Sequence, residues 1–145
     1  LAILHGNFDG DKLEGFWSWP LTKKPGGRKL PRGNGKRIAC RTGFNVLDQS
    51  VHYALVECRP LTGRIHQIRR HAKLAGHPVA GDPRYGSPKS LTFLREKAGL
   101  YRMGLHAMEL TLATPKSAGP ETIRSEKFPE ELSRFFKSDN MVDCK

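Results

Sequence analysis

One stretch constrains the fold more than any other: Leu61 to Gly86, reading LTGRIHQIRRHAKLAGHPVAGDPRYG. Basic side chains, turn residues and a helical period share these few positions, so a helix and a structured loop must meet in one place. Thr62 and Gly63 suit a helix N-cap, and Gly76 followed by Pro78 is a stop signal. Between them Ile65, Ile68, Ala72 and Ala75 recur at helical spacing and form a narrow apolar stripe. At about 100° per residue, His66, Arg69, Arg70 and Lys73 fall on one flank of that stripe. Arg69 borders the buried edge. An arginine there can keep its stem against the core and aim its fork at a carboxylate or phosphate. On pattern alone, a surface helix with solvated charges is the competing reading.

After the helix, His77 to Gly86 is rich in turns. Pro78 and Pro83 disfavour helix at the residues before them, and Gly81 and Gly86 allow positive φ. Such a loop can bring Asp82, Arg84 and Tyr85 close to the helix start. A Gly-Asp-Pro turn is also a common surface feature.

The pattern TGRIHQIRRH…GHPVAGDPRYG resembles the third conserved block of the RluA-type pseudouridine synthases, which modify uridines in ribosomal or transfer RNA. Leu1 to Gly6 is similar to the strand after that family's Lys-x-Tyr motif, and Leu105 to Leu110 to its late LHA strand. Residues 7–50 match loosely. The HRLDxxTSG block that carries the family's nucleophilic aspartate is absent: Leu47-Asp48 is the only Leu-Asp pair, and no His-Arg or Thr-Ser-Gly flanks it. The chain therefore reads as the C-terminal portion of a synthase catalytic domain, without the half that holds the nucleophile. It also begins without Met in a strand-like run.

The resemblance implies isomerisation of uridine to pseudouridine, in which uracil leaves the ribose, rotates and rejoins through carbon. No metal or organic cofactor is implied. The target base must leave its stack to be reached. A carboxylate nucleophile needs a cation to keep it ionised and oriented. The resemblance gives that role to Arg69, at the end of the HQIR element. Arg64, His66, Gln67, Arg70 and Lys73 are expected to contact RNA or brace the loop, with Lys36 and Arg37 as RNA contacts from a separate segment. For His66, a hydrogen-bonding role is preferred over acid–base catalysis. The Arg69-Arg70 doublet is reminiscent of the branch acting on transfer RNA. A non-catalytic RNA-binding module is one alternative. Another is a metal-dependent nuclease or phosphatase using His66, His71, His77 and Asp82, although their spacing fits no ligand pattern.

Charge agrees with a polyanionic partner. Lys and Arg number 25 against 14 Asp and Glu, a formal charge of +11. A ribosomal-type structural protein would share that excess. The 145 residues suit one domain with a real core. The three cysteines (Cys40, Cys58, Cys144) are far apart and include no CxxC, which argues against a disulfide framework or structural zinc and for a reducing, cytoplasmic setting. There is no membrane-length apolar run and no secretory signal pattern.

Residues 21–41 carry eight of the basic residues, no acidic one, and several Gly and Pro, which predicts a flexible basic loop beside RNA. The glycines do not make a phosphate-binding P-loop, because Leu30 and Arg37 occupy positions that need Gly and Ser or Thr. Phe16, Trp17 and Trp19 could stack on bases, but a strand whose tryptophans cover a core edge is preferred. Strands are expected at residues 1–6, 37–42, 52–59 and from His106 through Leu112. Helices are expected at residues 87–98 and from Pro129 through Phe136. Residues 114–121 read as a loop, and the last residues as a frayed end. The expected class is α+β, a mixed and mainly antiparallel β-sheet with a few packing helices.

Overall fold

In the computed structural model, residues 1–10, 12–113 and 119–140 are described. The fold is α+β. Its centre is a four-stranded antiparallel sheet in the order β1-β6-β5-β2, from β1 (Ala2–His5), β2 (Glu14–Trp17), β5 (Thr42–Gln49) and β6 (Tyr53–Pro60). Strand alternation explains its two cores. Ala2, Leu4, Ala54 and Val56 point to one face, where they meet Trp17, Phe8, Val79 and Ala72. Ala72 belongs to helix α1 (Gln67–Leu74). Ile3 and Tyr53 point the other way, against Leu94 of α2 (Pro88–Glu96) and Leu132, Phe135 and Phe136 of α3 (Glu130–Asp139). Because both faces are covered there, β1 and the first half of β6, Tyr53 to Val56, read as apolar runs.

The expectations for β1, β6, α2 and α3 agree with the structure. Ser87 caps α2 by accepting the Ser90 N–H, with Pro88 in the first turn, and Pro129 starts α3. β5 was not expected as such. Gly, Asn and Asp dilute its pattern, and a bulge between Val46 and Asp48 interrupts its pairing with β6. The tryptophan segment follows the structural reading: Trp17 is buried and stacks on Phe44 at 4.7 Å. Beyond the sheet, β7 (Glu109–Ala113) and β8 (Pro120–Arg124) form a hairpin that is exposed along both strands. β8 replaces part of the loop expected at 114–121; residues 114–118 and the expected frayed end, 141–145, lie outside the described residues.

Further expectations change. The strand expected at 37–42 is split: only Arg37–Ile38 forms a short strand there, and Thr42 begins β5. Helix α1 starts at Gln67 rather than just after Gly63, with His66 as its N-cap. Ile65 is therefore outside the helix and exposed. The buried face of α1 is Gln67, Arg70, His71 and Ala72, so it is largely polar instead of the expected Ile/Ala stripe. The basic segment 21–41 is also built rather than loose. It contains a short ribbon of β3 (Leu21–Thr22) and β4 (Arg37–Ile38), and its glycines serve packing. A Cβ at Gly33, where φ is +78°, would meet Thr22 Oγ1 at 2.0 Å.

Candidate active site

The site forms where β6 runs out at Pro60 and the chain turns through residues 61–66 into α1. Two buried side chains hold that turn. Gln67 uses its whole amide: Oε1 accepts from Thr62 Oγ1 (2.7 Å) and the Arg64 N–H (3.0 Å), and Nε2 donates to Arg41 O and Thr42 Oγ1 (both 3.0 Å). Only an amide offers acceptor and donor ends at that spacing. Thr42 Oγ1 in turn lies 2.9 Å from Nδ1 of buried His71, whose Nε2 lies 2.9 Å from Trp19 O. A carbonyl only accepts, so Nε2 carries the hydrogen and Nδ1 receives the threonine hydroxyl. Burial holds the His71 pKa below its ordinary value, and Arg70 nearby adds to that against the Trp19 carbonyl.

His66 is the only non-glycine among the described residues with positive φ (φ 55°, ψ 28°). That left-handed conformation is uncommon outside Gly, Asn and Asp and is concentrated at functional sites. It turns the imidazole so that Nδ1 sits 3.2 Å from the Tyr85 hydroxyl. Desolvation, helped by Arg69 and Arg84, lowers the His66 pKa. The neutral ring is thus the resting form near neutral pH.

Arg69 meets Asp82 through two parallel bonds, Nε to Oδ2 at 2.7 Å and Nη2 to Oδ1 at 2.8 Å. The arginine side chain is 14% exposed and the aspartate fully buried. Asp82 Oδ1 also accepts the backbone N–H groups of Arg84 (2.8 Å) and Tyr85 (3.0 Å). Burial alone would raise the Asp82 pKa, but the Arg69 bond and these two N–H groups outweigh it and leave it lowered. The same bond raises Arg69. The Tyr85 ring lies beside the guanidinium, its centroid 5.1 Å from Cζ. The expected approach of Asp82 and Tyr85 to the helix start is therefore observed. Asp82 was considered only as a metal ligand and Tyr85 not as a site residue; the turn-rich loop and its GDPRYG resemblance were the available signals.

Arg64, His66, Ile68 and Arg69 line a cleft of about 330 Å³, closed by Pro60 and Leu105. Arg64 Nε is buried there without a hydrogen-bond partner. A larger hollow of about 540 Å³ lies over β2 and β5, around Phe16 and Phe44. The smaller cleft is the better site, because it gathers the left-handed histidine, the buried ion pair and the unpartnered guanidinium nitrogen.

The remaining site expectations divide. Lys36 and Arg37 are exposed beside and on β4. Lys73 lies on the His5 side of α1, where its charge helps lower the His5 pKa. Gln67 is buried, braces the turn and forms part of the cleft wall. Arg70 is corrected outright: it is fully buried. Its Nε donates to Pro31 O (2.6 Å), Nη1 to Thr22 O (3.1 Å) and Ile65 O (3.3 Å), and Nη2 to Thr22 Oγ1 (3.2 Å) and Arg32 O (2.5 Å). All five guanidinium hydrogens are thereby used, and they moor the 21–41 segment to α1. Two further arginines lace that segment to the 82–86 loop, Arg28 onto Gly86 O and Arg84 onto Gly26 O (2.8 Å) and Pro25 O (3.1 Å). Nor do His66, His71, His77 and Asp82 gather as a metal set. His77 bonds His5 O, and among the described residues no three His, Cys, Asp or Glu side chains are placed to hold a metal.

No family model matches the chain. It is 35% identical over 141 residues to an uncharacterized RNA pseudouridine synthase of Mycoplasma pneumoniae, a match covering 93% of this chain and 43% of the relative. It is 32% identical over 141 residues to ribosomal large subunit pseudouridine synthase D of Zymomonas mobilis, covering 94% and 43%. Synthase C of Escherichia coli is 39% identical over 99 residues, covering 66% and 31%. The chain thus spans less than half the length of these relatives. In structure it resembles human RNA pseudouridylate synthase domain containing 1, with a TM-score of 0.71 at 24% identity over 93% of this chain and 56% of that one, which speaks for the fold. With the TGRIHQIRRH and GDPRYG elements now joined by the Arg69–Asp82 pair, the comparisons agree: nearly the whole chain is similar to part of RNA pseudouridine synthases, and its fold resembles that of a pseudouridylate synthase domain.

Proposed function

We propose that residues 1–145 form the C-terminal portion of an RNA pseudouridine synthase catalytic domain and supply the arginine side of its active site. The substrate is a uridine in ribosomal or transfer RNA. The observation that carries this reading is Arg69, a guanidinium fixed by a buried carboxylate at the lip of a cleft, with its Nη1 amino group still free to donate. In this reading Arg69 faces the nucleophilic aspartate of an HRLD block, which this sequence lacks. It keeps that carboxylate ionised while the base is detached and rejoined through carbon. Arg64 and His66 line the space for the extruded nucleotide. The exposed Lys36 and Arg37 hold the RNA backbone, which fixes register without carrying sequence information. No metal or organic cofactor takes part.

The test uses the full-length polypeptide that carries the HRLD block, with single-turnover rate and RNA affinity measured side by side. Arg69→Ala should abolish turnover and leave RNA affinity largely intact. Because that change also strips Asp82 of its counter-ion, at a cost of about 3–5 kcal/mol for a buried pair, Arg69→Lys is the control. It keeps the charge, loses the fork and should turn over at an intermediate rate. A defect lying wholly in RNA binding would reduce Arg69 to a phosphate contact and favour the non-catalytic RNA-binding module. The 145-residue chain alone should bind RNA and form no pseudouridine; turnover by it would redirect attention to Asp48.

A further inference from the structure

Resting on the proposed function, we infer that Asp82 is a positioning residue for that reaction, acting through Arg69. An arginine side chain has enough rotatable bonds to place its guanidinium in many planes. Here one plane is selected. Asp82 takes the Nε–H and one Nη2 hydrogen, so the Nη1 amino group and the second Nη2 hydrogen are the donors left for the cleft that Arg69 lines.

The carboxylate can serve as a fixed peg because its own position is over-determined. Backbone N–H groups of Arg84 and Tyr85 converge on Oδ1. The loop packs closely at its glycines: at Gly81, where φ is +72°, a Cβ would meet Arg102 O at 2.4 Å, and at Gly86 one would meet Asp82 O at 2.6 Å. The buried Tyr85 ring flanks the guanidinium and its hydroxyl reaches His66. The plane of Arg69 is therefore defined by a carboxylate and a ring on one loop, and the histidine beside it by the same tyrosine.

The pairing also changes what Arg69 offers. Asp82 already balances its charge, so toward the cleft it acts as an oriented donor edge more than as a free cation. Orientation then matters to rate, since misplacing a reacting group by about 1 Å can cost about 100-fold. A purely structural Asp82, needed only to close its loop, would affect folding and RNA binding without reference to Arg69.

A double-mutant cycle in the full-length polypeptide separates the two. Asp82→Asn keeps an acceptor for the backbone N–H groups and removes the charge and one of the two Arg69 bonds. It should slow single-turnover pseudouridine formation about 100-fold, with RNA affinity close to wild type and a lowered melting temperature, because Arg69 loses its counter-ion. In an Arg69→Lys background the same change should lose most of its effect, because a point charge has no fork to orient. Equal losses in both backgrounds, an unchanged rate in Asp82→Asn, or a rate defect matched by lost RNA affinity would each overturn the inference and leave the proposed function standing. If the wild-type polypeptide forms no pseudouridine, the proposed function falls and this inference with it. Should Asp82→Asn fail to fold, Asp82→Ser, which retains a short acceptor for the loop, takes its place in the cycle.

Discussion

Arg70 offers the sharpest test of how this fold is held. The perturbation is Arg70→Met, similar in length and without charge or donors. Five hydrogen bonds disappear together: those to Pro31 O, Thr22 O, Ile65 O, Thr22 Oγ1 and Arg32 O. Bonds from a charged donor are worth about 1.5–3 kcal/mol each. Against this, the wild-type protein bears the cost of burying a guanidinium, several kcal/mol after relaxation. That burial also lowers the Arg70 pKa. The bonds outweigh the burial cost, so a net loss of about 3 kcal/mol or more is expected.

The loss should also be local first. Four of the five acceptors belong to Thr22, Pro31 and Arg32, which close the neck of the 21–41 segment. Thr22 N–H to Arg32 O at 3.0 Å would remain as a weaker closure. Amide hydrogen exchange across residues 21–41 should therefore accelerate well beyond that of β1 and β6, and Lys23 and Lys29 should become preferred tryptic sites. Arg70→Lys, with three donors in place of five, should fall between. The assay is urea denaturation combined with exchange mass spectrometry. A stability change within about 0.5 kcal/mol, the ordinary range of surface substitutions, or exchange that rises uniformly over the chain, would refute Arg70 as the mooring of this segment.

Two further outcomes are expected. RNA binding should weaken steeply with salt: six exposed cations (Lys23, Lys24, Lys29, Lys36, Arg37, Arg41) give a slope of about −4 in log affinity against log salt for single-stranded RNA. A slope near zero in a filter-binding titration would exclude phosphate contacts by this segment. Stability should also fall as pH drops below the ordinary histidine value of 6.5, because His71 has a lowered folded-state pKa and the unfolded chain then binds more protons. His5 and His66 act in the same direction. Asp82, lowered from 3.8, adds a second loss as pH falls through its folded-state value. Urea midpoints from pH 7.5 down to pH 3 check this, and a flat profile between 6.5 and 5 would contradict the buried neutral state of His71.

The sequence was most legible where burial is apolar. β1, β6, α2 and α3 carry their cores as Ile, Leu, Val and Phe at the right spacing, so period alone found them. Helix α1 was misread for the opposite reason. Its buried positions Gln67, Arg70 and His71 follow helical spacing as faithfully as any apolar stripe, but their residue types are ones that pattern reading assigns to water. They can be buried because they find partners on the turn, on β5, at Trp19 and in the 21–41 segment, and all but the turn partners are distant in sequence. β8 was missed because both its faces are exposed and Pro120 opens it. The motif identified Arg69; the carboxylate that orients it needed coordinates.

Arg69 and Arg70 show why counting charge says little about where RNA binds. They are adjacent in sequence and about 100° apart around the helix, and both are largely removed from solvent. One is balanced by a carboxylate and keeps donors for the cleft. The other meets only carbonyls and a hydroxyl, and keeps none. Had Arg70 a carboxylate partner, fewer donors would remain to gather Thr22, Pro31 and Arg32, and the basic segment would lose its anchor. Had Arg69 only carbonyl partners, its charge would stand unbalanced beside the cleft and its plane would be less well fixed. A lysine at either position would keep the formal charge of the chain and lose part of the function assigned to that position, because it lacks the fork. Of the cations in this chain, those that line or brace the cleft are thus the ones least exposed, and the side chains of the moored segment are the ones presented to a polyanionic partner.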